Sequence, residues 1–247
     1  MSDFSLPSQP SLLGRARQLN IAGLVSFSTV DWPGKIVASV FCQGCPWRCV
    51  YCQNCEILDF LVPGAVPFAE LEELLGRRQG LLDGVVFSGG EALAQAAIIP
   101  AARWVKSQGF QVGLHAAGAY PTRLQEMLAA GLLDWVGLDI KALPADYRQV
   151  TGVVGAHKAF TCLDAVLSRG IDYEVRLTVY PGHPGKVVDL ARDLAARGVK
   201  NFALQQAREL GASPDFQAQA QGWDSQVKTW AKEIEDLGFE KFSFRPA

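Results

Sequence analysis

The sequence predicts an α/β chain built as an incomplete barrel, a partial (βα)6 TIM-like arrangement. Three observations carry that reading. Apolar, β-branched runs alternate with helical stretches from residue 35 onward, the pattern of βα units around a parallel sheet. Only six such units can be counted, fewer than the eight of a closed barrel. The residues with chemistry to offer fall where those runs end, at the cysteine-rich segment 42–55, at Ser88-Gly89-Gly90-Glu91 and at Asp139-Ile140-Lys141. The C-terminal rim of parallel strands is where such folds place their sites.

Each element has its own signal. Residues 1–18 are polar and proline-broken and are expected to form a leader, with 19–247 as a single domain. IAGLVSFSTVDWPGK reads as a strand and a turn, with Trp32-Pro33-Gly34 as punctuation. KIVASVF (35–41) is a strand that runs directly into the cysteines. GVVFSGG (84–90) is a second such strand, followed by a helix starting near Pro100, a residue suited to a first helical turn. FQVGLHAAG (110–118) precedes a helix over 121–130, and DWVGLDIKA (134–142) precedes one near 157–169. DYEVRLTVYPG (172–182) leads to a helix over 185–197. NFALQQ (201–206) leads to one over 224–236, and FEKFSF (239–244) is a last strand.

The 247 residues suffice for a large core. A net charge of -2 argues against a general nucleic-acid binder, which needs a basic face. The N-terminal segment lacks the apolar centre of a signal peptide, and no run of 18 apolar residues follows, so a cytoplasmic protein with reduced thiols is expected.

Five of the six cysteines lie between Cys42 and Cys55. Such crowding in a large, core-rich chain points to a metal or cluster rather than a disulfide framework. Cys45, Cys49 and Cys52 follow a C-x3-C-x2-C spacing and offer three thiolates from one loop. A cubane of four irons held by three thiolates keeps one iron open to a substrate or cofactor. A structural zinc site is the competing reading, but it usually draws four ligands from two separated pairs. Cys42 ends an apolar strand and Cys55 follows the loop; neither is assigned as a ligand, and isolated Cys162 reads as a small core residue.

The C-x3-C-x2-C motif with Tyr51 before its last cysteine resembles the radical S-adenosylmethionine superfamily. The run GLVSFSTVDWPGKIVASVFCQGCPWRCVYCQN, continued by FSGGEAL, LDIKA, EVRLTVYPG and ALQQAREL, resembles the activating enzymes of glycyl radical proteins, above all those of anaerobic ribonucleotide reductases. This resemblance spans about residues 20–245. It implies a barrel of the radical S-adenosylmethionine type in which Cys45, Cys49 and Cys52 ligate a [4Fe–4S] cluster and S-adenosyl-L-methionine chelates the fourth iron. Gly89 and Gly90 would let the backbone approach that cofactor, and Glu91 would pair with its amino group, the alternative being a tight turn with a solvated acid. Tyr51, Asp139, Lys141 and Arg176 are the further candidate cofactor-binding residues. Asp139 and Lys141 share one side of a strand, and for these and Arg176 a purely structural ion pair stays open. One of Gln205 and Gln206 should face the site. No catalytic residue beyond cluster and cofactor is assigned.

Some relatives carry Asp-Thr-Asn-Gly where this chain has His115-Ala116-Ala117-Gly118. A neutral imidazole suits a hard cation poorly, so a monovalent cation site is not expected there. The implied activity is reductive cleavage of S-adenosylmethionine to a 5′-deoxyadenosyl radical that removes a glycine Cα hydrogen from a partner glycyl radical enzyme. That partner would be an anaerobic ribonucleoside-triphosphate reductase, with reduced flavodoxin or ferredoxin as electron donor. The alternatives are a radical enzyme acting on a small molecule, an iron–sulfur electron carrier and a zinc-structured interaction module.

Overall fold

The computed structural model describes residues 11–247. The chain begins with α1 (Leu12–Ala16), β1 (Ile21–Ser28) and β2 (Val37–Cys42). Next come α2 (Phe68–Arg77), β3 (Gly84–Gly89), α3 (Ile98–Ser107), β4 (Gln111–Ala116), α4 (Pro121–Ala129) and β5 (Trp135–Asp139). It continues through α5 (Tyr147–Thr151), α6 (Ala156–Leu167), β6 (Asp172–Val179), α7 (Val187–Ala196), β7 (Asn201–Gln206), α8 (Trp223–Glu235) and β8 (Lys241–Arg245).

The eight strands form one sheet in sequential order. β1 is antiparallel to β2, and every later neighbour is parallel. β2 to β7 are each followed by a helix, so six βα units are present. β8 pairs with β7 alone and the ring stays open. Strands β2 to β7 are short, mostly buried runs, as parallel sheets covered by helices require, whereas the edge strands β1 and β8 are partly exposed. The helices bury one stripe each; α2 packs Phe68, Leu71, Leu74 and Leu75 inward, and α3 packs Ile98, Ala101, Ala102 and Val105.

Residues 1–10 of the expected leader lie outside the described residues. Residues 12–16 depart from that expectation, for they form α1. The Ser11 hydroxyl accepts from the Gly14 amide at 3.1 Å, and buried Ala16 docks the helix on the body of the fold. The helices α2 and α5 were not drawn from the pattern. Among the described residues no single helix is long and apolar enough to cross a membrane.

The barrel interior is divided by height. At its lower end the turn after β1 inserts Trp32, whose ring stacks on Trp135 at 5.6 Å, with Val37 and Val86 beside them. Trp32 fits because Gly113 faces it on β4; a Cβ there would lie 2.8 Å from the indole. Toward the C-terminal strand ends the inward residues become polar: Ser88, His115, Asp139, Arg176, Thr178, Gln205 and Arg245.

Trp32→Ala removes the floor and leaves a cavity that the rigid strands cannot collapse. A loss of about 3–5 kcal/mol in unfolding free energy is expected from urea denaturation; a loss below about 1 kcal/mol would mean that the indole is not a packed floor.

Candidate active site

The cysteine loop is pinned on three sides by main-chain hydrogen bonds. The amides of Gly44 and Cys45 donate to Ile57 and Leu58 carbonyls at 2.8 and 3.1 Å. Those of Arg48 and Val50 donate to Thr151 and Val150 at 2.9 and 3.1 Å, fastening the loop to α5. From the third side, the Gly90 and Glu91 amides donate to Cys42 and Gly44 carbonyls at 3.0 and 2.8 Å. Gly89 and Gly90 are needed for this last contact. Gly89 has φ +106°, and a Cβ on it would strike the Cys42 backbone, while one on Gly90 would strike the Gly44 carbonyl. The close approach these glycines permit is to the cysteine loop itself.

Cys45, Cys49 and Cys52 all line one cavity of about 650 Å³. Cys42 is in the core, and Cys55 turns aside to donate to the Gly211 carbonyl at 3.3 Å; neither lines the cavity. Burial pushes the Cys45 thiol up to about 12, with the Glu91 charge adding to it, and burial also raises Cys49 and Cys52. Three such thiols ionise together only when a metal supplies compensating charge. Among the described residues no three His, Cys, Asp or Glu side chains converge closely enough for a single metal ion. Three thiols around one roomy cavity are a donor set for a metal or a metal cluster.

Opposite the thiols, four of the candidate residues form a continuous network. The Lys141 ammonium donates to Asp139 Oδ2 at 3.0 Å and to the Tyr51 hydroxyl at 3.2 Å. Arg176 Nε donates to Asp139 Oδ1 at 2.9 Å, and its Nη2 reaches the Gly137 carbonyl. Burial pushes the Asp139 carboxyl up, but the Lys141 and Arg176 charges outweigh it and hold the group far below the usual carboxylate range. Burial likewise opposes the charge on Lys141, and Asp139 more than restores it. Two cations share one carboxylate, so the network keeps one net positive charge beside the cavity. Lys141 is only 4% exposed, and its charge favours the thiolate at all three cysteines.

Glu91 departs from expectation. It is 1% exposed and does not line the cavity. Its carboxylate accepts from the Leu93 amide at 3.3 Å and the Ala117 amide at 2.9 Å, 26 residues away. Burial raises it to about 7 against those amide hydrogen bonds. The acid thus ties the turn after β3 to the segment after β4, and it is neither a solvated turn residue nor a wall of the cavity. His115 lines the cavity but is satisfied: Nε2 lies 2.6 Å from the Asp31 carbonyl and Nδ1 lies 3.2 Å from Ser88 Oγ. A carbonyl only accepts, so Nε2 carries the proton and Nδ1 accepts from the hydroxyl. Burial, helped by the Arg176 charge, lowers this imidazole to about 3, which keeps it neutral.

Gln205 faces inward, its amide donating to Thr178 Oγ1 at 2.8 Å; Gln206 also borders the cavity but donates to Asp224 at 3.0 Å. Asp31, Arg208 and Arg245 join the lining without having been singled out from the sequence. Asp31 lies in the Thr-Val-Asp-Trp-Pro-Gly turn, and its punctuation was the one available signal. Arg245 ends β8 and donates to Glu174 at 2.7 Å.

The comparisons with known proteins agree with this geometry. The family described as the Radical SAM superfamily matches residues 39–197. A Methanocaldococcus jannaschii protein named as a glycyl-radical enzyme activating enzyme is 30% identical over 198 residues, covering 75% of this chain and 79% of that protein. The pyruvate formate-lyase-activating enzyme of Clostridium pasteurianum is 33% identical over 176 residues, covering 69% and 70%. A solved radical SAM methyltransferase from Sphaerobacter thermophilus superposes with a TM-score of 0.65 at 16% identity, covering 87% of this chain and 67% of that one. The last of these bears on the fold alone.

Glu91→Gln replaces an acceptor of two amides by a side chain with a single acceptor oxygen, leaving one buried N–H unpaired. The expected cost is about 1–3 kcal/mol in denaturant unfolding, with the segment after β4 loosened in amide hydrogen exchange. An unchanged stability would remove Glu91 from its bracing role.

Proposed function

The chain belongs to the radical SAM superfamily, and from that premise we infer that it activates a glycyl radical enzyme. The observation that carries the reading is the single cavity shared by three thiols of one loop and the Tyr51–Lys141–Asp139–Arg176 network, at the C-terminal strand ends of an open barrel. Cys45, Cys49 and Cys52 would hold a [4Fe–4S] cluster. Gly89, Gly90, Tyr51, Asp139, Lys141 and Arg176 would form the seat of S-adenosylmethionine. With one electron from a flavodoxin or ferredoxin, that cluster and cofactor would supply the chemistry of reductive cleavage, to a 5′-deoxyadenosyl radical and methionine.

The residues of this chain orient and protect. Lys141 is locked between Asp139 and the Tyr51 hydroxyl, so its charge is fixed before any ligand arrives, and no reorganisation is needed to meet an anionic group. Glu91 acts from behind the cavity, holding the Ala116–Ala117 wall against the cysteine loop. The Trp32 floor closes the interior below, so entry is from the open side. There Val30 stands on one margin, and Leu210, Arg245 and Pro246 on the other. An opening at the side of a barrel suits an extended loop of a protein better than a small metabolite. A glycine in such a loop offers a Cα hydrogen with no side chain to block its approach.

The partner we propose is an anaerobic ribonucleotide reductase. The Ser-Thr-Val-Asp-Trp-Pro-Gly lead-in and the Gln205-Gln206 pair support it, and a role for pyruvate formate-lyase is the competing assignment because relatives bear that name. An iron–sulfur site with reduced thiols suits the cytoplasm.

Two measurements test the reading. After anaerobic reconstitution, serine variants of Cys45, Cys49 or Cys52 should lose iron and visible absorbance, whereas Cys42→Ser and Cys55→Ser keep both; the opposite pattern would reassign the ligands. The reduced wild-type protein should release 5′-deoxyadenosine and leave a glycine-centred doublet in electron paramagnetic resonance on the reductase. A doublet on pyruvate formate-lyase only would change the partner, and cleavage without any doublet would make a small molecule the substrate.

A further inference from the structure

A second cleft, of about 270 Å³, opens at the lower end of the barrel, where β6, β7 and β8 begin. Trp32, Pro33 and Trp135 form one wall, and Glu174, Ser243 and Arg245 form another. β7 contributes little bulk between its neighbours. Its Ala203 lies opposite Arg176 on one side and Ser243 on the other, so a single methyl stands where the adjacent strands carry polar side chains. The cleft is separate from the thiol cavity but borders it. Arg245 lines both, and its Nη2 donates to Glu174 Oε2 at 2.7 Å.

Two polar atoms at this cleft are unanswered. Glu174 is 9% exposed, and its Oε1 is buried with no hydrogen-bond partner; the buried Ser243 hydroxyl has none either. Five such atoms occur among the described residues, and these two belong to residues lining one cleft. Buried groups left unpaired are costly, so their convergence marks a place suited to a hydrogen-bonding ligand. A carboxylate oxygen only accepts, so that ligand must donate. The Arg245 guanidinium is already committed, to Glu174 Oε2 and to the Gln205 side chain at 3.5 Å. Exposed Asp172 and exposed Lys241 also line the cleft, and their opposite charges offset one another. Trp32 and Trp135 give an apolar body a surface to lie on and favour a cation over an anion. A bare metal ion is a poor fit. The space far exceeds one ion, and among the described residues no three His, Cys, Asp or Glu side chains converge on a single point.

We propose that this cleft binds a small organic cation of the guanidinium class. A planar guanidinium holds several N–H donors in one fixed fork. It can meet Glu174 Oε1 and Ser243 Oγ together while its stem lies along the indoles. The contact to Oε1 is charge-assisted and is the stronger of the two. Glu174 then carries a cation on each oxygen, Arg245 on one and the ligand on the other. Because Arg245 is also part of the wall of the thiol cavity, an occupant of the cleft lies directly behind that wall. Binding here makes and breaks no covalent bond, and it does not depend on the function argued above.

The test uses the full chain, reconstituted with iron and sulfide and titrated by calorimetry with methylguanidine and with methylurea, its neutral counterpart. Methylguanidine should bind at one site, and methylurea about tenfold more weakly or less. Glu174→Gln should weaken methylguanidine binding about tenfold or more, and Ser243→Ala about threefold to tenfold. Ser243→Ala leaves the Glu174–Arg245 pair intact, so it reads the site even where Glu174→Gln folds poorly. Asp31→Asn, which removes a carboxylate lining the thiol cavity, should leave the affinity unchanged. On addition of methylguanidine, amide hydrogen exchange should slow in residues 241–245 and not in residues 88–91. Absence of binding, or equal binding by wild type and both cleft variants, would overturn the proposal. Loss of binding in Asp31→Asn with the cleft variants unaffected would place the cation in the thiol cavity and overturn it as well. Equal affinity for methylurea would overturn the cationic class.

Discussion

The buried ammonium of Lys141 is the constraint on which the site depends. An isolated charge of that size costs several kcal/mol to remove from water, and it is tolerated only with a partner of opposite sign and filled hydrogen bonds. Asp139 supplies the charge two residues earlier, but its carboxylate at the end of β5 also needs its other oxygen satisfied. Arg176, on the neighbouring strand β6, does so. The Tyr51 hydroxyl, on the cysteine loop, then accepts a further hydrogen bond from the ammonium. One cation thus couples two strand ends to the loop, and its field reaches each of the three thiols.

The second determinant is steric. The turn after β3 donates main-chain hydrogen bonds to the cysteine loop at a separation that excludes a Cβ on Gly89 or Gly90. Glu91 extends the same join by accepting from Ala117 beyond β4. On the other side Trp47 packs edge-on against Tyr147 at 5.6 Å and covers Gly155. Loop conformation is therefore dictated by backbone contacts and by rings, while the thiols stay free of structural duties and available to a metal.

Much of this was legible in the sequence because it is local. Period-two alternation gives the strands, and it places Asp139 and Lys141 on one side, where they meet. The C-x3-C-x2-C spacing keeps three thiols within one loop, and all three do face one cavity. What was not legible depends on residues distant in the chain. Whether Glu91 points at a cavity or at an amide is decided by where Ala117 ends up, and no pattern around residue 91 encodes that. Asp31 and Trp32 belong to a turn whose composition announces a bend but not that it folds back inside the barrel. α1 is too short for a period to show, and it is held by the Ser11 cap and by packing on α3, not by propensity.

The open ring and the cavity are one feature viewed twice. A closed eight-stranded (βα)8 barrel packs its interior with layers of side chains, so that it is a core and not a pore. Here the eight strands form an open sheet with an antiparallel β1 at one edge and β8 at the other, so the interior is not filled across the gap between those edges. Something must occupy the lower half, or the strands would enclose an apolar void. Trp32 is delivered there by the turn after β1, against Gly113 and Trp135, and it fills that end of the interior. The upper half is kept open by charge instead, because Asp139, Lys141, Arg176 and Arg245 cannot collapse on one another without losing pairing and hydration. An apolar floor and a charged upper wall thus hold about 650 Å³ of space beside a gap in the barrel. That is the geometry a reactive cofactor and an inserted protein loop would have to share.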